Sequence, residues 1–138
     1  MGIRHGIDIV RISRIKRGIT RLGEAYLDRL WTAGEQAYCL QREAEGRYAS
    51  FAVRFAAKEA VAKALGTGLM RDGISLTSID VHVDTLGSPY VVLTGGAAKR
   101  FADIGGIDLA ISLTHDGDFA QASCVILTEQ IQSPGRRV

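Results

Sequence analysis

The sequence predicts an α+β domain, a mostly antiparallel sheet packed with one long helix and several shorter ones. Three observations carry this: apolar runs of strand length joined by tight polar turns, helical apolar spacing between the first strand and the rest, and an alanine-rich run with no glycine or proline inside it. Residues 2–10 form the first strand, because isoleucine recurs at 3, 7 and 9 on one side of a period-two pattern and Asp8 falls on the other. Residues 12–22 place Ile12, Ile15, Ile19 and Leu22 at helical spacing with arginine and lysine around them, which makes a basic amphipathic helix. Short helices follow over 24–31 and 33–42, the second opened by Thr32 as N-cap with Glu35 completing a capping box. Gly46 breaks the pattern, and the longest helix runs over 48–65 until Gly66, which stands where a C′ glycine belongs.

The glycine-punctuated loop GTGLMRDG at 66–73 is of a kind that exposes backbone N–H groups. Ile79, Val81 and Val83 alternate with polar residues, LGSP turns the chain, and 90–94 returns, giving a hairpin with one wet face. A short helix spans 95–104. Apolar runs at 109–113 and 120–127, joined by THDGD, complete the antiparallel sheet. With no internal repeat and no linker, residues 1–132 read as a single domain and 133–138 as a flexible C-terminal tail.

The 138 residues are 46% hydrophobic and 23% charged, enough apolar content to bury a core. No uncharged stretch approaches the roughly 20 residues of a membrane span, and the opening MGIRHGID lacks a secretory pattern. The expectation is a cytoplasmic protein without membrane association. Cys39 and Cys124 have no metal-ligand spacing and read as core residues. The net charge of +2 is unevenly spread: residues 1–21 carry six basic side chains against Asp8 alone, +5, which leaves −3 for the remainder. Such a segment suits an acidic partner or is a solvated helix face. It contains no aromatic residue to stack on bases, which argues against nucleic acid.

Asp8 lies in an apolar strand, where a carboxylate is costly unless a cation pairs with it. Glu59 stands among Phe55, Ala56, Ala60 and Val61 and shares a face with Lys63 at i+4, a metal-phosphate arrangement or an ordinary ion pair. Arg54 and Lys58 are a like-charged i,i+4 pair that makes sense beside an anion. His115 ends the strand ISLTH, followed by Asp116. Together, two carboxylates, several cations, a glycine loop and a hydroxyl-rich strand end suggest a metal-phosphate site.

The segments GIDIV at 6–10, RFAAKEAVAKALGTG at 54–68, GSPY at 87–90 and SLTHD at 112–116 resemble, in order and interval, the small holo-acyl-carrier-protein synthases, the short group of 4′-phosphopantetheinyl transferases. The resemblance implies a homotrimer with active sites at subunit interfaces, as expected of a chain too short to hold both halves of a cleft. It implies transfer of the 4′-phosphopantetheine arm of coenzyme A to a serine of an apo acyl carrier protein, releasing adenosine 3′,5′-bisphosphate. Asp8 and Glu59 would hold Mg²⁺, with Mn²⁺ as a substitute. Lys63 would serve the pyrophosphate or leaving group, and Arg54 and Lys58 other coenzyme A phosphates, including the 3′-phosphate. Gly66, Thr67 and Gly68 would approach the nucleotide by backbone and Pro89 would pack on the adenine. Ser112, Thr114 and His115 would line the nucleotide pocket, His115 touching phosphate or assisting proton removal. The base stays open among a water on the metal, Glu59, and His115 polarised by Asp116. The basic helix would dock the acidic helix of the carrier through Arg14, Arg17 and Arg21. Two readings compete: a non-catalytic basic-helix module for acidic proteins or RNA, against which the carboxylate pair speaks, and a metal-dependent nucleotide hydrolase, in which that helix would lack a purpose.

Overall fold

The structure, a computed structural model, describes residues 1–67 and 74–129. In chain order the elements are β1 (Gly2–Arg11), α1 (Ile12–Leu22), α2 (Glu24–Leu30), α3 (Ala33–Leu40), α4 (Ala44–Leu65), a 3₁₀ turn (Leu76–Ser78), β2 (Ile79–Val83), β3 (Pro89–Leu93), α5 (Gly95–Asp103), β4 (Gly106–Asp116) and β5 (Phe119–Thr128). β1, β5 and β4 form an antiparallel sheet in that order, and β2 and β3 form a separate hairpin. The α+β architecture with an antiparallel sheet agrees with the sequence. The tail and the loop from Gly68 to Gly73 lie outside the described residues.

α4 is the centre of the molecule. From Ala49 to Leu65 almost every residue is buried, as expected of a helix that is apolar nearly all round. It packs on β1, β5 and β4 on one side and meets α1, α3 and β2 on others. It begins at Ala44, four residues earlier than the sequence suggested, because Gly46 sits in the exposed first turn, where its lack of a side chain disrupts no packing. Gly66 closes it in a left-handed conformation at φ 83°. The Thr67 N–H donates to the Ala62 carbonyl at 3.3 Å and the Gly66 N–H to Lys63 at 3.0 Å, a Schellman closure.

β1 turns its glycines inward. Gly2, Gly6 and Val10 are buried while Ile3, Ile7 and Ile9 are 48–60% exposed. A Cβ on Gly6 would overlap the Ala60 carbonyl, so the glycine lets α4 lie directly against the strand. Asp8 shares this inward face and is carried to the flank of α4. The Thr32–Glu35 capping box is present, with Thr32 N–H donating to Glu35 Oε1 at 2.8 Å and Glu35 N–H to Thr32 Oγ1 at 3.2 Å.

Candidate active site

Several of the residues singled out in the sequence fall into two clusters beside α4, one toward β1 and one toward β4. On the β1 flank, Lys63 Nζ lies 3.2 Å from Asp8 Oδ1 and donates to the Ile7 carbonyl at 2.9 Å. The ion pair of Lys63 is therefore with Asp8 across the strand–helix interface, rather than with Glu59 along the helix. Asp8 has 18% of its side-chain surface exposed and Lys63 54%, so the cluster opens to solvent through the lysine. Burial and then the negative charge of Asp8 push the Glu59 carboxyl upward, while Lys63 and Arg14 oppose the shift. Arg14, on α1, also lies over the Phe55 ring at 5.7 Å. With Asp8 beside it, Glu59 completes a pair of hard oxygen donors of the kind that suits a cation.

Among the described residues no third carboxylate, histidine or cysteine completes this pair. That fits Mg²⁺, which binds through one or two carboxylates and keeps other positions for water and phosphate. Asp8 and Glu59 are the residues that would hold it.

On the other flank a cavity of about 700 Å³ is lined by Tyr38, Arg42, Arg54, Pro89, Ser112 and His115, among others. Arg54 is buried, with its guanidinium 4.3 Å from the Tyr38 ring centroid. Its Nη1 donates to Ser50 Oγ at 2.8 Å, and its Nε has no partner. Arg42 lies over the same ring at 5.1 Å and donates to Tyr38 Oη at 2.6 Å. Tyr38 and Arg42 escaped the sequence reading, although their i,i+4 spacing on a predicted helix was the available signal.

Several expectations need correction. Lys58 is fully buried and paired with Glu35 Oε1 at 2.7 Å, and it donates to the Leu76 and Ile79 carbonyls at 2.9 and 2.6 Å. All three ammonium protons are thus engaged, leaving none for coenzyme A, and the anion that balances the Arg54–Lys58 pair is in part a protein carboxylate. Gly66 and Thr67 use their N–H groups to close α4, so these amides are not offered to a nucleotide. The Gly66 backbone instead faces the guanidinia of Arg4 and Arg100, whose Nε atoms donate to the Ala64 and Leu65 carbonyls at 2.7 and 2.8 Å. Gly68 lies outside the described residues. The register pairs His115 with Ala120 on the inner sheet face, which sends Asp116 and Thr114 to the outer face, so Asp116 does not stand behind the imidazole. Arg14, Arg17 and Arg21 are exposed on α1.

The chain belongs to the 4′-phosphopantetheinyl transferase superfamily, whose sequence model it matches over residues 4–123. It is 46% identical to a holo-[acyl-carrier-protein] synthase of Trichlorobacter lovleyi over 121 residues, covering 88% of this chain and 94% of that one. Among solved structures it is similar to the holo-[acyl-carrier-protein] synthase of Neisseria meningitidis, with TM-score 0.80 and 33% identity over 91% and 98% of the two chains. It is also similar to a Chronobacterium ammoniagenes synthase complexed with coenzyme A, with TM-score 0.83 and 30% identity over 94% and 100%. Within the superfamily these relatives are holo-[acyl-carrier-protein] synthases, and the chain is an enzyme of that kind.

Proposed function

We propose that the protein transfers the 4′-phosphopantetheine moiety of coenzyme A to a serine hydroxyl of an apo acyl carrier protein, in a reaction that depends on Mg²⁺ and releases adenosine 3′,5′-bisphosphate. The observation that carries this reading is the Asp8–Glu59 pair, held together by β1 and α4, with the Lys63 ammonium on Asp8. A new P–O bond forms from the serine oxygen to the phosphorus bearing pantetheine, the serine proton passes to a base drawn from water, Glu59 or His115, and the P–O bond to the departing bisphosphate breaks. Asp8 and Glu59 would hold a divalent cation, which would supply neutralisation of charge on the phosphate oxygens. Lys63 is free enough in solvent to turn from Asp8 to a phosphate oxygen of coenzyme A. The basic cavity suits the nucleotide end: Arg42 and Arg54 bring positive charge to its wall for a phosphate, Pro89 offers an apolar surface to the adenine, and His115 stands at its rim. Arg14, Arg17 and Arg21 face the acidic helix of the carrier, and Arg14 lies near enough to bear on Glu59.

The protein functions as a homotrimer with shared sites. Two observations support this. Asp8 and His115 sit on β1 and β4, the two edge strands of the three-stranded sheet, where a neighbouring chain can reach each of them. The outer sheet face exposes Ile3, Ile7, Ile9, Phe119 and Val125, a run of apolar surface suited to a subunit contact. A head-to-tail contact that joins one chain's β1 flank to the next chain's cavity closes into a ring. Residues 1–132 act as the single domain and 133–138 as its tail. Among the described residues no helix is long and apolar enough to cross a membrane.

The test incubates the protein with coenzyme A, Mg²⁺ and several apo acyl carrier proteins and reads intact carrier mass. A gain of one phosphopantetheine, lost when Mg²⁺ is chelated, is the expected outcome. No gain on any carrier overturns the reading.

A further inference from the structure

α1 begins without a cap of its own, since the residue before it is Arg11, whose side chain caps nothing. Its first amides are met from the far end of the chain. The Ile12 N–H donates to the Asp118 carbonyl at 2.8 Å, the Ser13 N–H to Asp118 Oδ1 at 2.9 Å and the Ser13 hydroxyl to Asp118 Oδ2 at 2.6 Å. These side-chain and backbone donors, helped by Arg11 and Arg17, hold the Asp118 carboxyl below its ordinary range, so it is ionised where the enzyme works. A carboxylate on the first turn of a helix satisfies orphan N–H groups and complements the positive end of the helix dipole. Asp118 therefore performs, across 105 residues of sequence, the task that an Asp at position 11 would perform locally.

Its location matters as much as its bonds. Asp118 lies in the two-residue turn between β4 and β5, three residues after His115. A small cavity of about 320 Å³ between α1 and this turn is lined by Ile12, Ala49, His115, Gly117 and Asp118, among others. The Arg11 guanidinium lies 4.8 Å from the Phe119 ring centroid and fastens the same junction from the other side. The helix proposed to dock the carrier is thus tied at its N-terminus to the turn that ends the His115 strand. Arg14 lies in the first helical turn, so its place over Phe55 and beside Glu59 depends directly on that turn being closed. Ile12 and Ile15 are buried beneath it and keep the body of α1 in place without the cap.

We propose that Asp118 is a positioning residue for carrier docking, fixing the first turn of α1 and with it Arg14. The inference rests on the carrier-transferase reading above. Asp118→Ala removes both acceptors; Asp118→Asn keeps one, for the Ser13 N–H. In steady-state transfer with coenzyme A, Mg²⁺ and an apo acyl carrier protein, Asp118→Ala is expected to raise KM for the carrier about fivefold, the factor that loss of one helix cap corresponds to. The rate at saturating carrier and the KM for coenzyme A stay within about twofold, and Asp118→Asn recovers most of the loss. Hydrogen exchange read at the Ile12 and Ser13 amides gains speed in Asp118→Ala while the amides of α4 keep their protection. An unchanged carrier KM in a folded Asp118→Ala protein overturns the proposal, and so does a loss that spreads equally to coenzyme A binding and α4 protection. A wild-type protein that modifies no apo carrier overturns the transferase reading and this role together; that result is distinct from failure of Asp118 alone, in which the wild type turns over and the variant keeps its KM.

Discussion

Asp8 and Glu59 come from parts of the sequence 51 residues apart and meet because two small-residue surfaces let a strand and a helix touch. Their closeness has a cost that pH reveals. Burial and Asp8 raise the folded Glu59 carboxyl above its ordinary 4.5, so the folded state holds this proton to higher pH than the unfolded chain does. Stability contributed by that proton is complete below the ordinary value and is lost as pH rises through the raised one. Without divalent cations, thermal melts of the wild type should therefore show a decline over this window that Glu59→Gln flattens, while Mg²⁺ restores wild-type stability most at the upper end. In the transfer assay the same variant should lose on the order of a hundredfold or more, as when one preorganised charge-stabilising group is removed. Lys58, one residue earlier, behaves differently. Burial pulls its ammonium pKa down against the pull of Glu35 upward, and its pairing is complete inside the protein. Lys58→Met should cost about 3–5 kcal/mol by leaving Glu35 buried without its cation, read as a fall in the urea midpoint. The sequence could show that Glu59 and Lys58 were unusual, but not which was functional. That depends on a partner, Glu35, on another helix.

At the scale of elements, the helices were legible because a capping box and a C′ glycine are local signals, the first carried by α3 and the second by α4. What local pattern could not give was which face of β1 is buried. Alternation identifies a strand, whereas the buried face is chosen by what must pack on it, and here α4 takes the glycine face and leaves the isoleucines outside. The start of α4 escaped for a related reason: glycine is a poor helix former, but one turn is readily carried by a helix anchored along the rest of its length. Gly6 is consequently a site-building residue without chemistry of its own. Gly6→Ala pushes a methyl into the Ala60 carbonyl and toward the Ala64 amide, both backbone and unable to swing aside. The expected result is a loss of about 1–3 kcal/mol of stability from overpacking. A separation of Asp8 from Glu59 should follow, so the Mg²⁺ concentration that half-activates transfer rises. A variant that is destabilised yet keeps its Mg²⁺ dependence would show that the carboxylate geometry does not rely on this contact.

At the scale of the whole molecule, the carboxylate pair gathers at the β1 edge of the sheet under α4 and the basic cavity at the β4 edge. Glu59 and Arg54 are five residues apart on α4, a rotation of about 140°, so the two side chains leave the helix on different faces. The sequence motifs recorded both halves faithfully, because each is local, but spacing along a chain carries no information about which copy of the chain a residue serves. The proposed ring resolves this by completing each site from two protomers, and it makes a prediction that a self-contained site does not share. Glu59→Gln disables the carboxylate half and His115→Ala, an exposed change at the cavity rim, disables the other. Each variant alone should transfer slowly. When the two are unfolded, mixed in equal amounts and refolded together, an intact site forms wherever a chain with a sound carboxylate pair precedes one with a sound cavity. Random assembly gives that arrangement at about one site in four, so the mixture should recover about a quarter of the wild-type rate. Sites lying within single chains would leave the mixture as slow as its components, and light scattering on the same samples reports whether three chains travel together.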